Sequence, residues 1–135
     1  MPPHTLTTDE WHRQSGRDLQ AADHLLRGSF PAHATVFAHL AVEKALKALY
    51  RNRTGEAPPS THDLRVLAER LRLGGGGDGW SADLQSALDD LSDTTILALY
   101  APDRPFGHPV SDADEAARER VAAARTITAW VSQHL

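Results

Sequence analysis

The 135-residue chain contains no cysteine, so disulfides and zinc–thiolate centres are excluded. It has no apolar run approaching the ~18 residues that a membrane span needs. The opening "MPPHTLTTDEW" lacks the apolar core of a signal peptide, and a cytoplasmic location with no membrane contact is the expectation. Broad positive charge is also missing: the net charge is −4 and the pI about 6.0. No extended basic surface is therefore expected to draw the whole chain to nucleic acid, and any such contact would come from a local patch. Lysine is scarce. Lys44 and Lys47 are the only two, and the other strong bases are arginines. Finally, no stretch alternates apolar and polar residues as a strand would.

What is present is helical periodicity with clear punctuation. A first helix is predicted from Thr8 to Arg27, with Thr7 or Thr8 as cap, Asp9 and Glu10 in the first turn, and Gly28 as its end. Trp11, Ala22 and Leu25 share its apolar face, and Asp18 falls within that face. A second helix is predicted from Pro31 to Arg53, with Pro31 at the first helical position. The loop "TGEAPPST" breaks the pattern, because Pro58 and Pro59 cannot continue a helix. A short third helix follows from His62 to Leu73, capped by Ser60 or Thr61. "GGGGDG" then reads as a flexible tether. A fourth helix runs from after Ser81 to Tyr100. The loop "APDRPFGHPV" leads to a fifth, capped by Ser111 and reaching His134. In that last helix Ala117, Val121, Ala124, Thr128, Val131 and Leu135 keep a 4-3-4-3-4 spacing, widened by Ile127 and Trp130. The expected architecture is all-α and a single domain over residues 1–135: an up-and-down bundle of four long helices plus one short helix. No internal repeat is visible.

The second helix carries the most unusual pattern. Apolar residues cover most of its circumference, leaving an arc of His39, Tyr50, Glu43, Val36 and Lys47. So much apolar surface exceeds what a four-helix bundle needs, and it predicts a symmetric homodimer. Lys44 lies between Phe37 and Leu40, inside an apolar stretch, where an unpaired ammonium would be costly. A structural ion pair with Asp18 or with Glu43 is expected there. Lys47 is the better candidate for a solvent or ligand contact, although Glu43 and Lys47 at i, i+4 would also stabilise an ordinary helix. His39 and Glu43 are likewise four apart, but a metal site needs three or four converging ligands. No motif supplies them, so neither metal nor other cofactor is expected. His62 and Asp63 open the short helix: Asp63 suits a helix start, and His62 either anchors the loop or contacts a phosphate or base.

The ordered set "AVEKALKAL", "HDL" and "Y…RP" (Tyr100, then Arg104-Pro105), with a long Ala-rich last helix, resembles the HEPN domain family. These are small helical domains found beside minimal nucleotidyltransferases in prokaryotes. The resemblance implies a helical bundle that often dimerises, binds nucleotide or RNA, and in many members acts as a metal-independent RNase toxin paired with a nucleotidyltransferase antitoxin. Nuclease members carry Arg and His, four to six residues between them, at the base of the last helix. Here Arg104 and His108 lie in that region with three residues between. Arg27 and His33 have five between but lie in another loop. The expectation is therefore a nucleotide- or RNA-binding module that partners a nucleotidyltransferase. Lys47, Tyr100, Arg104, His62 and His39 are the candidate contacts. The alternative is an RNase in which Arg104 holds the scissile phosphate and His108 moves the proton.

Overall fold

The computed structural model describes residues 5–100 and 110–135, with side chains over 5–93 and 115–135. Every regular element among the described residues is a helix: α1 Thr8–Arg27, α2 Pro31–Thr54, α3 Leu64–Arg70, α4 Ala82–Tyr100 and α5 Val110–Gln133.

Local chemistry sets the helix ends. Thr7 caps α1: its hydroxyl accepts from the Glu10 amide at 3.1 Å, and the Glu10 carboxylate accepts from the Thr7 amide at 3.0 Å. Such a reciprocal box satisfies two N-terminal donors at once. After α1 the chain reverses in three residues, Gly28 to Phe30, with Ser29 in the left-handed region at φ 66°. Pro31 then opens α2, and Gly55 closes it at φ 73°, a conformation glycine adopts without Cβ strain.

Helix α2 is the centre of the molecule and packs against each of the other four helices. Small residues make up much of its buried surface. Ala34, Ala38, Ala41, Ala45 and Ala48 are all fully or almost fully buried, and Ala22 and Ser15 are buried on α1. The Ser15 hydroxyl donates to the Ala41 carbonyl at 2.7 Å, which requires close approach of the two backbones. The larger core side chains (Val42, Leu46 and Leu49 of α2, Leu64 and Leu67 of α3, Leu88 and Leu91 of α4, Val121, Ile127 and Val131 of α5) form one continuous cluster. Most of the apolar circumference of α2 is thus covered within the chain, while Val36, Phe37 and Leu40 stay half-buried.

Several boundaries differ from the sequence expectation for identifiable reasons. Helix α3 starts at Leu64, because the Asp63 carboxylate accepts from the amides of Arg65 and Val66 and is the cap itself. Thr61 supports Asp63 from outside instead, accepting its amide at 3.0 Å. The helix stops at Arg70, and Arg72 beyond it takes φ 54°. Helix α5 begins at Val110, one residue before Ser111. Its buried stripe turns through Ile127 and Trp130 at the C-terminal end, whereas Thr128 is half-buried and Leu135 exposed.

The glycine-rich segment is a built turn rather than a tether. Gly74, Gly76, Gly77 and Gly79 all take positive φ. The Asp78 carboxylate accepts from the amides of Gly74 at 3.0 Å and Trp80 at 2.9 Å. These backbone donors, Trp80 first and then Gly74, hold the Asp78 carboxyl below its usual range. Trp80 is seated edge-on against Trp130, ring centroids 5.0 Å apart, and its indole N–H donates to Gln85. On the surface Arg65 spans Asp89 and Asp93, whose hydrogen bonds, Asp93 first, raise its pKa, so α3 is clamped to α4.

A buried charge cluster and an exposed histidine

His39, Glu43 and Lys47 follow one another at single-turn spacing on α2, so their side chains leave the same face. That face does not look into solvent. His39 is 6% exposed, Glu43 3% and Lys47 7%. Three neighbours cover it: Trp11 from α1, the 60–63 segment that leads into α3, and Leu91 of α4.

Glu43 is the hub. One carboxylate oxygen accepts from the Lys47 ammonium at 3.2 Å. The carboxylate also accepts from His62 Nδ1 at 3.0 and 3.1 Å. His39 Nε2 lies 3.8 Å from the other side of the carboxylate and hydrogen-bonds the His62 carbonyl at 2.9 Å. A carbonyl can only accept, so Nε2 of His39 carries the proton of that bond. The Lys47 ammonium also sits 5.3 Å from the centre of the Trp11 ring, within cation–π range. The indole Nε1 of Trp11 is itself buried without a hydrogen-bond partner. Side chains of α2 and of the loop before α3 therefore converge on one carboxylate, with Trp11 of α1 against Lys47, and the pairing compensates the desolvation of Lys47.

The side chain of His62 differs from the rest because it is 79% exposed. Its Nδ1 is committed to Glu43, so the ring is held from behind while its other edge faces outward. A carboxylate behind Nδ1 fixes the tautomer and orientation of an imidazole. Sequence reading placed Lys47 and His39 on an outer arc open to ligand. The fold covers both, and His62 becomes the member of the set that a ligand can reach. Trp11 was missed as part of this cluster. On a helical wheel it belongs to the apolar face of α1, and nothing in the pattern shows that Lys47 lies across from it.

Lys44 leaves α2 on a different side. Its ammonium lies 2.7 Å from Asp18 Oδ2 of α1, with side chains 23% and 14% exposed. The contact is an ion pair out of line for a hydrogen bond, and Asp18 Oδ2 has no hydrogen-bond partner. Glu43 turns toward Lys47 and His62 instead. Arg104 and His108 lie outside the described residues. Tyr100 is the last residue of α4, and its side chain lies outside them as well. Among the described residues no group of three or more His, Asp or Glu side chains is arranged to hold a metal ion. No helix among them is long and apolar enough to cross a membrane.

The model of the HEPN domain matches residues 8–134, nearly the entire chain. The chain belongs to the HEPN domain family. Among solved structures, this HEPN chain is similar to TT1696 from Thermus thermophilus, at 26% identity and a TM-score of 0.77. The match covers 95% of this chain and 98% of that one. No match was found among curated proteins. The HEPN match spans all five helices, and with them both the buried cluster on α2 and the Asp18–Lys44 pair.

Proposed function

We propose that this HEPN domain, an up-and-down bundle of four long helices and one short one, is a nucleotide- or RNA-binding module that partners a nucleotidyltransferase in a toxin–antitoxin-type system. The observation that supports it is His62: an exposed imidazole fixed by a buried carboxylate whose charge is balanced by Lys47, itself seated against Trp11. Orienting one surface ring with a buried ion cluster is a poor device for stability, since burying charges costs more than apolar packing of the same volume. It is a sound device for presenting a hydrogen-bonding group to a phosphate or base. Arg104 and Tyr100 are the proposed companions of His62 in this contact, and a homodimer the proposed assembly.

The reading is that of a binder without nuclease chemistry of its own. Arg104 and His108 are separated by three residues, fewer than in the resembled nucleases, and Pro109 follows His108 directly. The test uses purified protein with labelled single-stranded RNA in EDTA. Binding weakened by His62→Ala or Arg104→Ala, with cleavage weak or absent, is expected. Robust metal-independent cleavage abolished by His108→Ala would establish the RNase alternative instead. Co-purification with the neighbouring nucleotidyltransferase, if the gene has one, tests the partnership.

A further inference from the structure

From Arg13 to Arg27 the outer face of α1 carries only basic and neutral polar side chains. Arg13, Arg17, Gln20, His24 and Arg27 are all exposed. They recur at steps of 4, 3, 4 and 3 residues, so they lie within an arc of about 80° and form a row about 21 Å long. The two mid-helix carboxylates of α1 do not neutralise them. Asp18 turns to Lys44 of α2, and Asp23 turns to Arg125 of α5. Asp9, one turn before Arg13, is the acid that remains near the row. None of Arg13, Arg17 and Arg27 has an ion-pair partner among the described residues. Elsewhere Arg65 is matched with Asp89 and Asp93, and Arg120 with Asp90. The exposed Arg53, Arg70, Arg72 and Arg118 have no such acid among the described residues, but they are spread over α2, α3, the segment after it and α5 rather than aligned on one helix face. A chain of net charge −4 has thus collected an uncompensated basic row on one helix face.

The chemistry of the row selects its partner. A protein–protein contact needs an apolar centre from which water is excluded, and the row contains no apolar side chain. A phosphodiester backbone needs none, because its affinity comes from charge neutralisation and counterion release. Arginine forks suit phosphate oxygens, and one base per helical turn suits a linear array of them. We infer that the outer face of α1 is a track for the phosphate backbone of single-stranded RNA. The inference rests on the nucleic-acid reading above for its class of partner, and it adds a second, sequence-independent contact surface. It also demands a ligand longer than a single nucleotide.

The experiment measures fluorescence anisotropy of labelled RNA, as a mononucleotide and as an oligonucleotide of ~10 residues, over a series of salt concentrations. The variants are Arg13→Ala/Arg17→Ala/Arg27→Ala and the corresponding triple lysine form, both checked for an unchanged helical melt. The alanine triple is expected to lose at least about tenfold in oligonucleotide affinity at low salt. Its slope of log affinity against log salt should fall by about 2, at ~0.7 for each phosphate that is no longer neutralised. The lysine triple should bind within a fewfold of wild type. If the alanine triple binds the oligonucleotide like wild type while His62→Ala or Arg104→Ala weakens it, the α1 track is overturned and the nucleic-acid reading stands. If wild type binds no RNA of either length at low salt, both fall.

Discussion

Glu43 and His62 lie 19 residues apart in sequence and 3.0 Å apart in space, one almost fully buried and the other largely exposed. The contact ties the middle of the central helix to the segment that enters α3. Glu43 therefore works in two directions: inward it balances Lys47, and outward it fixes an imidazole.

Removing the hub should leave Lys47 buried without a counter-charge. Glu43→Gln is expected to cost about 3–5 kcal/mol in urea melts, the range for a broken buried pair. Lys47→Met should cost less, because the carboxylate keeps His62 and the thioether fills the space beneath Trp11. The double variant Glu43→Gln/Lys47→Met should recover part of the loss. Additive losses in that cycle would show that the two side chains do not interact.

The Asp18–Lys44 pair is partly open to water, so its contribution lies between exposed and buried pairs. Asp18→Ala should cost about 1–3 kcal/mol. Its effect should be nearly absent in a Lys44→Met background. A loss under about 0.3 kcal/mol in wild type would mean that the 2.7 Å contact carries no weight.

Ser15 sits where α1 and α2 approach closely. Ser15→Ala loses one hydrogen bond to the Ala41 carbonyl and should cost about 1 kcal/mol. Ser15→Leu must push the helices apart and should cost about 1–3 kcal/mol or more. Equal melting temperatures for the two variants would contradict the close approach.

Asp78 gives the glycine-rich turn a pH dependence. Its folded pKa lies below its ordinary value of 3.8 because backbone amides stabilise the carboxylate. A depressed carboxyl binds more protons unfolded than folded, so its contribution is present above the unfolded pKa. It is lost as pH falls through the folded one. Stability of wild type should therefore drop below about pH 4 more steeply than that of Asp78→Asn, with the two curves converging in acid. Parallel curves would remove Asp78 from the turn.

Much of the fold is written locally. Thr7 with Glu10, Gly28 with Pro31 and the apolar spacing of α2 mark the first two helices without reference to the rest of the molecule. The match of Asp18 to Lys44 could be framed from the cost of an unpaired ammonium in an apolar stretch. The environment of His39 and Lys47 could not, because a helical wheel orders residues around an axis but does not say which arc a neighbour covers. Trp11 and the 60–63 segment decide that, and both reach α2 from elsewhere in sequence. The glycine-rich turn was hidden for a related reason. Four glycines in a row imply freedom, and only the placement of Asp78 opposite the Gly74 and Trp80 amides removes it. The Asp23–Arg125 contact that strips acid from the outer face of α1 joins residues 102 positions apart.

The three-residue reversal between α1 and α2 carries a kinetic consequence. It joins two long helices whose shared interface is the most extensive among the described residues, so a large set of contacts closes over a three-residue loop. Contacts of low sequence separation cost the least chain entropy to form. The α1–α2 hairpin should accordingly be the folding nucleus, with α5 docking afterwards from the far end of the chain. Ala22→Gly and Ala38→Gly should then slow refolding in stopped-flow measurements. Ile127→Val on α5 should mainly speed unfolding. Chain order and folding order would coincide, so the hairpin could be structured before the last helix leaves the ribosome.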